Sequence, residues 1–308
     1  MKKMLYFVNK VSQKKKVEHP DSISTINCFV GLGYKVYCAD WFDVSDGLII
    51  SYILDPVTGQ EFKDMGMNEI SDIALYRSIG SVELRIFDFQ RHLINVKEKY
   101  SGIVINNIEA MLFGVRKDYL LFLQNNNFPV IPSKGFSRHA SLEELKDQMF
   151  NENEEENIIK PITGECGNSF YILKDLTNEI LDYKRNKVGG WILQPLLKEV
   201  LDGEISLIMI GGEVSHAVRK KPSGSDFRVN DRWVDLIYQI NPPEEVIGLA
   251  KEIYDKWPFR LLTFRLDAIL SSEGYKIMEV ETVNPGFYQS HIKDSKLPIL
   301  LLNQKLLA

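Results

Sequence analysis

Residues 262–286 read LTFRLDAILSSEGYKIMEVETVNPG, and this stretch contains two apolar runs of the kind that form buried β-strands. The first run spans Leu262 to Leu270, and the second spans Tyr275 to Val280. The turn Ser271–Gly274 is short enough to join them directly. The stretch therefore predicts two neighbouring strands near the C-terminal end of the sequence.

Charged residues recur at alternate positions along these two strands, as Arg265 with Asp267 and as Glu279 with Glu281. Residues two apart in a strand point to the same face, so all four side chains can converge. Carboxylates gathered on one face repel each other unless cations neutralise them, and carboxylate oxygens suit Mg²⁺. The pattern indicates a magnesium site that Asn284 extends, and a solvated sheet face with ordinary ion pairs is the alternative.

A run that contains basic residues precedes these two predicted strands. Residues 215–220 read SHAVRK and predict a strand, and a polar loop leads from it to Arg228. Arg219, Lys220 and Arg228 can offset the charge of a phosphate or of a developing oxyanion. His216 is interpreted as a packed residue, because a single strand histidine without partners in sequence seldom acts as a base.

Lys160 closes a predicted strand and is followed by a loop that contains Gly164 and Gly167. Glycines let backbone N–H groups approach an anion closely, so phosphate is the expected ligand. The loop is not a Walker motif, because the spacing G-x-x-x-x-G-K-[ST] is absent. A surface hairpin with an exposed lysine is the alternative.

Residues 191–196, WILQPL, predict an apolar strand that leads into a proline, and Gly203-Glu204 follows shortly afterwards. Such a segment can act as a hinge whose backbone recognises a flat base, with the carboxylate binding ribose hydroxyls. It is equally compatible with a core strand and a turn.

The first part of the sequence predicts strands that alternate with helical segments. The strands lie at residues 4–8, 35–39, 73–76 and 103–106. This alternation favours βαβ units and a parallel sheet. The first domain is expected to end near residue 105.

Composition excludes several protein classes. The 308 residues are 44% hydrophobic and 26% charged, which is typical of a globular protein and not of a disordered one. A formal charge of −5 argues against a dedicated nucleic-acid binder. Three cysteines without paired spacing favour a reducing, cytoplasmic setting. The start MKKMLYFVN has too short an apolar run for a signal peptide, and no run approaches a membrane span.

Taken in order, these motifs resemble the ATP-grasp superfamily of carboxylate–amine ligases, and within it the glutathione-synthetase-like and O-ureidoserine cyclo-ligase-like branch. A predicted helix that begins with Lys117 and the exit Phe128-Pro129-Val130-Ile131-Pro132 complete the set. The interval from Asp267 to Glu279, 279 − 267 = 12 positions, fits two strands and a turn.

The resemblance implies an α/β (α+β) ATP-grasp fold. An N-terminal parallel βαβ domain at 1–105 would be followed by two α+β subdomains, at 106–188 and 189–308, that clasp ATP. The central subdomain would carry a lid loop, and the C-terminal subdomain would carry the metal site.

The resemblance also implies a role for each matching residue. Lys117 and Lys160 would contact the phosphates, and the loop from Thr163 through Gly164 and Gly167 to Ser169 would cover them. Lys220 would also bind the nucleotide. The backbone from Leu193 to Leu196, with Gln194, would hold adenine, and Glu204 would bind the ribose. Asp267, Glu279 and Glu281 would ligate two Mg²⁺ ions, for which Mn²⁺ can substitute. Arg219, Arg228 and Arg265 would neutralise the transferring phosphoryl group.

One position departs from the family pattern. Many relatives carry Asn two positions after the second metal-binding carboxylate, where this sequence has Glu281. The third metal ligand therefore stays open between Glu281 and Asn284.

The expected reaction activates a substrate carboxylate as an acyl phosphate and joins it to an amine, with release of ADP and phosphate. The expected partners are a small-molecule carboxylate and an amine, with neither nucleic acid nor membrane, and a homodimer stays open. A kinase of the same fold and a non-catalytic nucleotide-binding module are the alternatives.

Overall fold

The computed structural model describes residues 1–77, 79–80, 85–163, 170–185, 187–222 and 234–307, without the side chains of residues 234 and 235. Within these ranges the strands form three larger sheets and one two-stranded sheet. We call the larger ones the N-terminal, central and C-terminal sheets, in chain order.

The N-terminal sheet has six strands. The strands of this region are β1 (Lys3–Phe7), β2 (Lys35–Ala39), β3 (Ile49–Ile50), β4 (Ile53–Leu54), β5 (Glu61–Phe62), β6 (Met65–Gly66), β7 (Ile73–Tyr76) and β8 (Ile103–Ile105). The order is β5-β4-β2-β1-β7-β8, and β2, β1, β7 and β8 run parallel, whereas β3 and β6 pair separately. The predicted parallel βαβ arrangement is confirmed.

Five helices accompany this sheet. They are α1 (Val11–Lys14), α2 (Pro20–Gly31), α3 (Met67–Ile70), α4 (Ile86–Lys99) and α5 (Ile108–Gly114). Pro20 is the first residue of α2, a position where a missing N–H costs no hydrogen bond. The parallel strands are buried on both faces, because α2 and α4 contribute to two different cores around them.

The central sheet is antiparallel, with the order β11-β10-β12-β9. Its elements are α6 (Tyr119–Asn125), β9 (Lys134–Phe136), α7 (Leu142–Asp147), β10 (Asn157–Pro161), β11 (Tyr171–Ile172), α8 (Asn178–Arg185) and β12 (Trp191–Pro195). One face packs on α7 and α8 through Ile159, Trp191 and Leu193. The side chain of Lys160, which pairs across from Ile192, lies on the other face.

The C-terminal sheet is also antiparallel, with the order β15-β14-β13-β16-β17. Its elements are β13 (Glu204–Ile210), β14 (Glu213–Pro222), β15 (Val234–Ile240), α9 (Glu244–Lys256), β16 (Thr263–Ser271), β17 (Gly274–Glu281) and α10 (Leu297–Leu307). One face packs on α5, α6 and α9. The other face is apolar near Ile208 and Val218, where it shares a core with α10 and the N-terminal sheet. No helix in the described ranges is long and apolar enough to cross a bilayer.

Asn106 connects the end of β8 to the C-terminal sheet. Its buried Oδ1 accepts hydrogen bonds from the backbone N–H groups of Leu262 (2.8 Å) and Thr263 (2.7 Å). Its Nδ2 donates to the carbonyls of Thr282 (2.7 Å) and Thr263. One side chain therefore satisfies backbone groups at the start of β16 and beyond the end of β17.

We expect Asn106→Ala to lower the free energy of unfolding by about 3 kcal/mol, because several buried backbone groups lose their partners together. Urea denaturation monitored by tryptophan fluorescence measures this change. Asn126→Ala is the matched control, because Asn126 is exposed and its side chain forms one hydrogen bond in the described structure, to the carbonyl of Phe122. Equal losses in the two variants would contradict the connecting role.

His92 lies in an aromatic cluster between the N-terminal sheet and α4. Its Nε2 is 2.7 Å from the hydroxyl of Tyr76, and the rings of Phe7, Trp41 and Phe89 surround it. Burial lowers the pKa of His92 to about 3. The imidazole is therefore neutral in the folded protein at pH 7, and its protonation opposes folding.

This burial predicts an acid-dependent loss of stability. Because the pKa is lower in the folded state, the contribution of neutral His92 is complete above pH 6.5 and disappears as the pH falls towards 3. The expected loss at pH 3 is about 4 kcal/mol. The difference in unfolding free energy between wild type and His92→Leu, measured from pH 7 to pH 4, should shrink with falling pH. His139→Leu, at an exposed position, should show a constant difference.

Candidate active site

Four charged side chains share one face of the C-terminal sheet. In the register of β16 and β17, Asp267 lies directly opposite Glu279, and Arg265 lies opposite Glu281. Opposed residues of an antiparallel pair project to the same side. The predicted strand pairing is thus confirmed, and it brings the two charged pairs of the sequence pattern together.

Arg265 and Asp267 form a bidentate ion pair. Nε and Nη2 of Arg265 donate to Oδ1 and Oδ2 of Asp267 at 2.8 and 2.7 Å. Asp267 is only 3% exposed, and burial would raise its pKa. Arg265 and Lys220 outweigh that effect and lower the pKa to about 2. Asp267 is therefore ionised throughout the physiological range.

A second ion pair continues this network on β13 and β14. Nζ of Lys220 contacts the carboxylate of Glu204, which is its cross-strand neighbour, and lies 3.9 Å from Oδ1 of Asp267. The hydroxyl of Ser206 donates to Asp267. Burial raises the pKa of Glu204, and the ammonium of Lys220 opposes part of that rise. Ser206 had no predicted role, although its position two residues after Glu204 indicates the shared face.

Lys117 pairs with Glu279 across 162 positions of sequence. Burial would raise the pKa of Glu279, but Lys117 lowers it below its usual value. The backbone N–H of Lys117 donates to the carbonyl of Ile162 at 2.7 Å, just beyond β10. The predicted start of the helix at Lys117 is wrong, because α6 begins at Tyr119 and Lys117 lies before it. Lys117 thus connects the central and C-terminal sheets.

Lys160 is a half-buried residue whose ammonium group forms no hydrogen bond or ion pair with the described residues. Burial and the positive charge of Lys117 lower its pKa to about 8, whereas Glu279 and Glu204 oppose this decrease. Lys160 is therefore close enough to Glu279 and Glu204 to interact with their charges. We call the space bordered by Lys160, Glu204 and Glu279 the two-sheet cleft.

The segment expected to hold a base forms β12 and the residues after it. Gln194 is fully buried, and its Nε2 donates to the hydroxyl of Ser133 at 2.9 Å, whereas its Oε1 has no hydrogen-bond partner in the described part of the chain. The side chain of Leu193 lies in the core on the opposite face. The backbone N–H of Leu196 already donates to the carbonyl of Glu156 at 2.8 Å. The amide oxygen of Gln194 is thus a group of this segment that is free to accept a hydrogen bond.

Glu281 and Asn284 lie at the end of β17. Oε1 of Glu281 accepts hydrogen bonds from the backbone N–H groups of Val283 (2.9 Å) and Asn284 (3.0 Å), which closes the turn after the strand. Burial and the charge of Glu279 raise the pKa of Glu281. The choice between Glu281 and Asn284 as a third metal ligand stays open.

Within the described ranges, no three His, Cys, Asp or Glu side chains are already arranged to hold a metal ion. The donor chemistry nevertheless fits Mg²⁺, because Asp267 and Glu279 place carboxylate oxygens on one face, opposite each other. Both carboxylates are neutralised by protein cations, Arg265 and Lys117. A divalent ion would therefore compete with Lys117 for Glu279.

Arg219 does not join the other predicted residues. Lys220 shares a face with Glu204, and adjacent strand residues point to opposite faces, so Arg219 lies on the other side of the sheet, across from Ile205. Its role at a phosphoryl group stays a prediction that this arrangement does not favour. The remaining predicted site residues, Gly164, Gly167, Ser169 and Arg228, lie outside the described residues.

Comparisons with known proteins identify the fold. Residues 126–238 match the family model of the prokaryotic glutathione synthetase ATP-grasp domain. No curated protein matches the sequence. Among solved structures, the chain is similar to the D-cycloserine synthetase DcsG, with a TM-score of 0.71 and 17% identity over 99% of this chain and 100% of that one.

Two further structures extend the likeness. The ATP-grasp ligase PsnB, complexed with a minimal precursor, gives a TM-score of 0.62 and 15% identity over 99% of this chain and 100% of that one. D-alanine–D-alanine ligase from Bacillus anthracis gives a TM-score of 0.64 and 14% identity over 100% of this chain and 97% of that one. The chain therefore has the predicted ATP-grasp fold, and its central part matches the glutathione synthetase type.

Proposed function

From this fold and this cleft, we propose that the protein is an ATP-dependent ligase that joins a carboxylate to an amine. The observation that carries the proposal is the charge arrangement of the two-sheet cleft. Lys117 and Lys160 meet the acidic face that holds Glu204, Asp267 and Glu279. Such a cleft offers cations to a polyphosphate and carboxylates to the ions that accompany it.

We assign the phosphates of ATP to Lys160 and Lys117. Lys160 has no competing anion at hydrogen-bond distance in the described structure, so an incoming phosphate would supply its counter-charge. Lys117 is held by Glu279 and is placed to transfer to a phosphate oxygen. We assign the base to the segment around Gln194, whose free Oε1 can accept a hydrogen bond from an exocyclic amine, and the ribose to Glu204.

Asp267 and Glu279, with Glu281 or Asn284, would hold Mg²⁺. The ion would supply positive charge to the phosphate oxygens and so favour phosphoryl transfer. Arg265 keeps Asp267 ionised and oriented through its two hydrogen bonds. Ser206 fixes the same carboxylate from β13. These contacts preorganise the donor set before any ligand enters.

The chemistry follows from charge. The substrate carboxylate attacks the γ-phosphorus in line, ADP leaves, and an acyl phosphate forms. The neutral amine then attacks the acyl carbon, the bond from that carbon to the phosphate oxygen breaks, and the surplus proton of the amine leaves with the phosphate. The guanidinium of Arg265 and the lysines stabilise the negative charge that develops in both steps, and a contact of this kind contributes about 3 kcal/mol.

The names of the similar structures indicate the class of substrate. They include a D-cycloserine synthetase, a D-alanine–D-alanine ligase and a ligase complexed with a precursor. These names support an amino-acid-like or peptide-like substrate for this chain. We also assign the protein to the cytoplasm, because its cysteine pattern favours a reducing compartment.

A screen of amino acids, small carboxylates and short peptides for release of ADP and phosphate tests the function. A ligase should release phosphate in amounts equal to an amide product, and only when both a carboxylate and an amine are present. A kinase would release ADP without phosphate, and a non-catalytic module would release neither. Either of those outcomes would refute the proposal.

A further inference from the structure

Arg77 is a buried cation at the carboxyl end of β7. It is 2% exposed, its Nη1 donates to the carbonyl of Pro285, and its guanidinium carbon lies 3.9 Å from the centre of the Phe287 ring. No carboxylate in the described ranges forms an ion pair with it. A buried charge without a counter-charge is costly, so an anion bound beside Arg77 would be favourable.

One polar atom of Arg77 also lacks a partner. The Nε of Arg77 is buried without a hydrogen-bond partner in the described structure, and the hydroxyl of Tyr6 lies beside the guanidinium, within reach of Arg77 and Ser22. Tyr6 lies on β1, which is the neighbour of β7 in the N-terminal sheet. Burial raises the pKa of Tyr6 and the charge of Arg77 opposes that rise, which places the two groups close together. Both groups can donate a hydrogen bond, and carboxylate oxygens accept such bonds.

One short segment, residues 285–288, is close both to Arg77 and to Arg265 of the two-sheet cleft. Arg77 contacts Pro285 and Phe287 of this segment. The guanidinium carbon of Arg265 lies 5.8 Å from the ring of Tyr288. In open α/β sheets, ligands bind beyond the carboxyl ends of the strands, where Arg77 stands.

The segment has a second support that does not involve Arg77. Nε2 of His216 lies 2.7 Å from the carbonyl oxygen of Phe287, and the carbonyl oxygen makes Nε2 the donor. Burial lowers the pKa of His216. The segment should therefore keep its position when Arg77 is replaced, which allows a binding role and a supporting role to be separated.

We infer that Arg77 binds a carboxylate of the amine substrate that takes no part in the reaction. The inference rests on the proposed ligase function and specifies its second substrate as an amino acid or a peptide with a free carboxylate. The reacting carboxylate belongs at the phosphates, near Arg265. A planar guanidinium matches the two oxygens of a carboxylate, which explains an arginine here better than a lysine.

The test compares free amino acids with their carboxamides as amine substrates. In each comparison the acyl donor is fixed, and it is alanine, serine or glutamate as either enantiomer. The amine substrate is then an amino acid, offered either as the free acid or as the carboxamide. Wild type should use the acid better. Arg77→Met should lower kcat/KM for the acid about ten- to a hundredfold, the loss expected for a charge-assisted pair, and change that for the carboxamide less than threefold. Arg77→Lys should be intermediate.

Two controls fix the interpretation. Arg260→Met, at an exposed position, should keep the wild-type preference, and the affinity of Arg77→Met for AMPPNP should equal that of wild type. Equal losses with acid and carboxamide would show that Arg77 only supports residues 285–288, and would overturn the inference. A wild type without preference for the acid would also overturn it. ATP turnover with none of the pairs would refute the proposed function itself.

Discussion

Lys160→Met should lower ATP turnover at least a hundredfold and weaken AMPPNP binding, while the thermal unfolding midpoint stays within a few degrees of wild type. Lys160 contributes a cation that no described protein carboxylate neutralises at hydrogen-bond distance. A charge-assisted contact to a phosphate oxygen is worth about 3 kcal/mol in such a site. The loss of a half-buried, unpaired charge does not remove a stabilising contact from the folded protein.

Proton linkage gives an independent measurement of the same contact. The pKa of Lys160 is about 8 in the free protein, because burial and Lys117 disfavour the ammonium form. A bound polyphosphate favours the ammonium form and raises that pKa. AMPPNP binding should therefore take up about half a proton at pH 8 and much less at pH 6.5, where Lys160 is already protonated. Calorimetry in buffers of different ionisation enthalpy measures this uptake.

The uptake at pH 8 should disappear in Lys160→Met and persist in Lys174→Met. Lys174 is an exposed lysine that pairs with Glu155 on the surface. Turnover and nucleotide affinity should be unchanged in this control. If Lys160→Met binds AMPPNP with wild-type affinity and wild-type proton uptake, then Lys160 does not contact the phosphates.

Local sequence signals predicted the parts of the site that lie within one pair of strands. The alternation of Arg265 with Asp267 and of Glu279 with Glu281 fixes a common face, and the short turn fixes the pairing. The same rule explains why the arrangement does not favour the predicted role of Arg219. Arg219 and Lys220 are adjacent, so a strand directs them to opposite faces.

Contacts between distant segments could not be predicted in this way. Lys117 and Glu279 are 162 positions apart, and Arg77 and Pro285 are 208 positions apart. Nothing in the local pattern distinguishes Arg77 from a surface arginine, because its burial depends on how residues 285–288 pack on the N-terminal sheet. The orphaned oxygen of Gln194 is likewise a property of packing. Strand and helix types are local properties of the sequence, whereas pairing between the sheets depends on the whole fold.

Glu279→Gln should separate the electrostatic roles of the acidic face. In the absence of Mg²⁺, we expect the variant to bind AMPPNP about three- to tenfold more tightly than wild type. The substitution removes a negative charge from the cleft and releases Lys117 from its ion pair. With Mg²⁺ present, wild type should gain affinity and the variant should gain little. Turnover should fall at least a hundredfold, because the donor set for the ion is incomplete.

Glu279→Gln is expected to strengthen AMPPNP binding without Mg²⁺ and to remove the gain in affinity that Mg²⁺ gives to wild type. This combination is specific to a residue that holds the metal and pairs with a phosphate-binding lysine. A general loss of structure would weaken binding under both conditions. Glu273→Gln is the matched control, because Glu273 lies in the turn of the same hairpin and is exposed, with Lys276 as its partner. That variant should retain both affinities and full turnover. If Glu279→Gln keeps the wild-type gain from Mg²⁺, the carboxylates of this face serve only to balance Lys117 and Arg265.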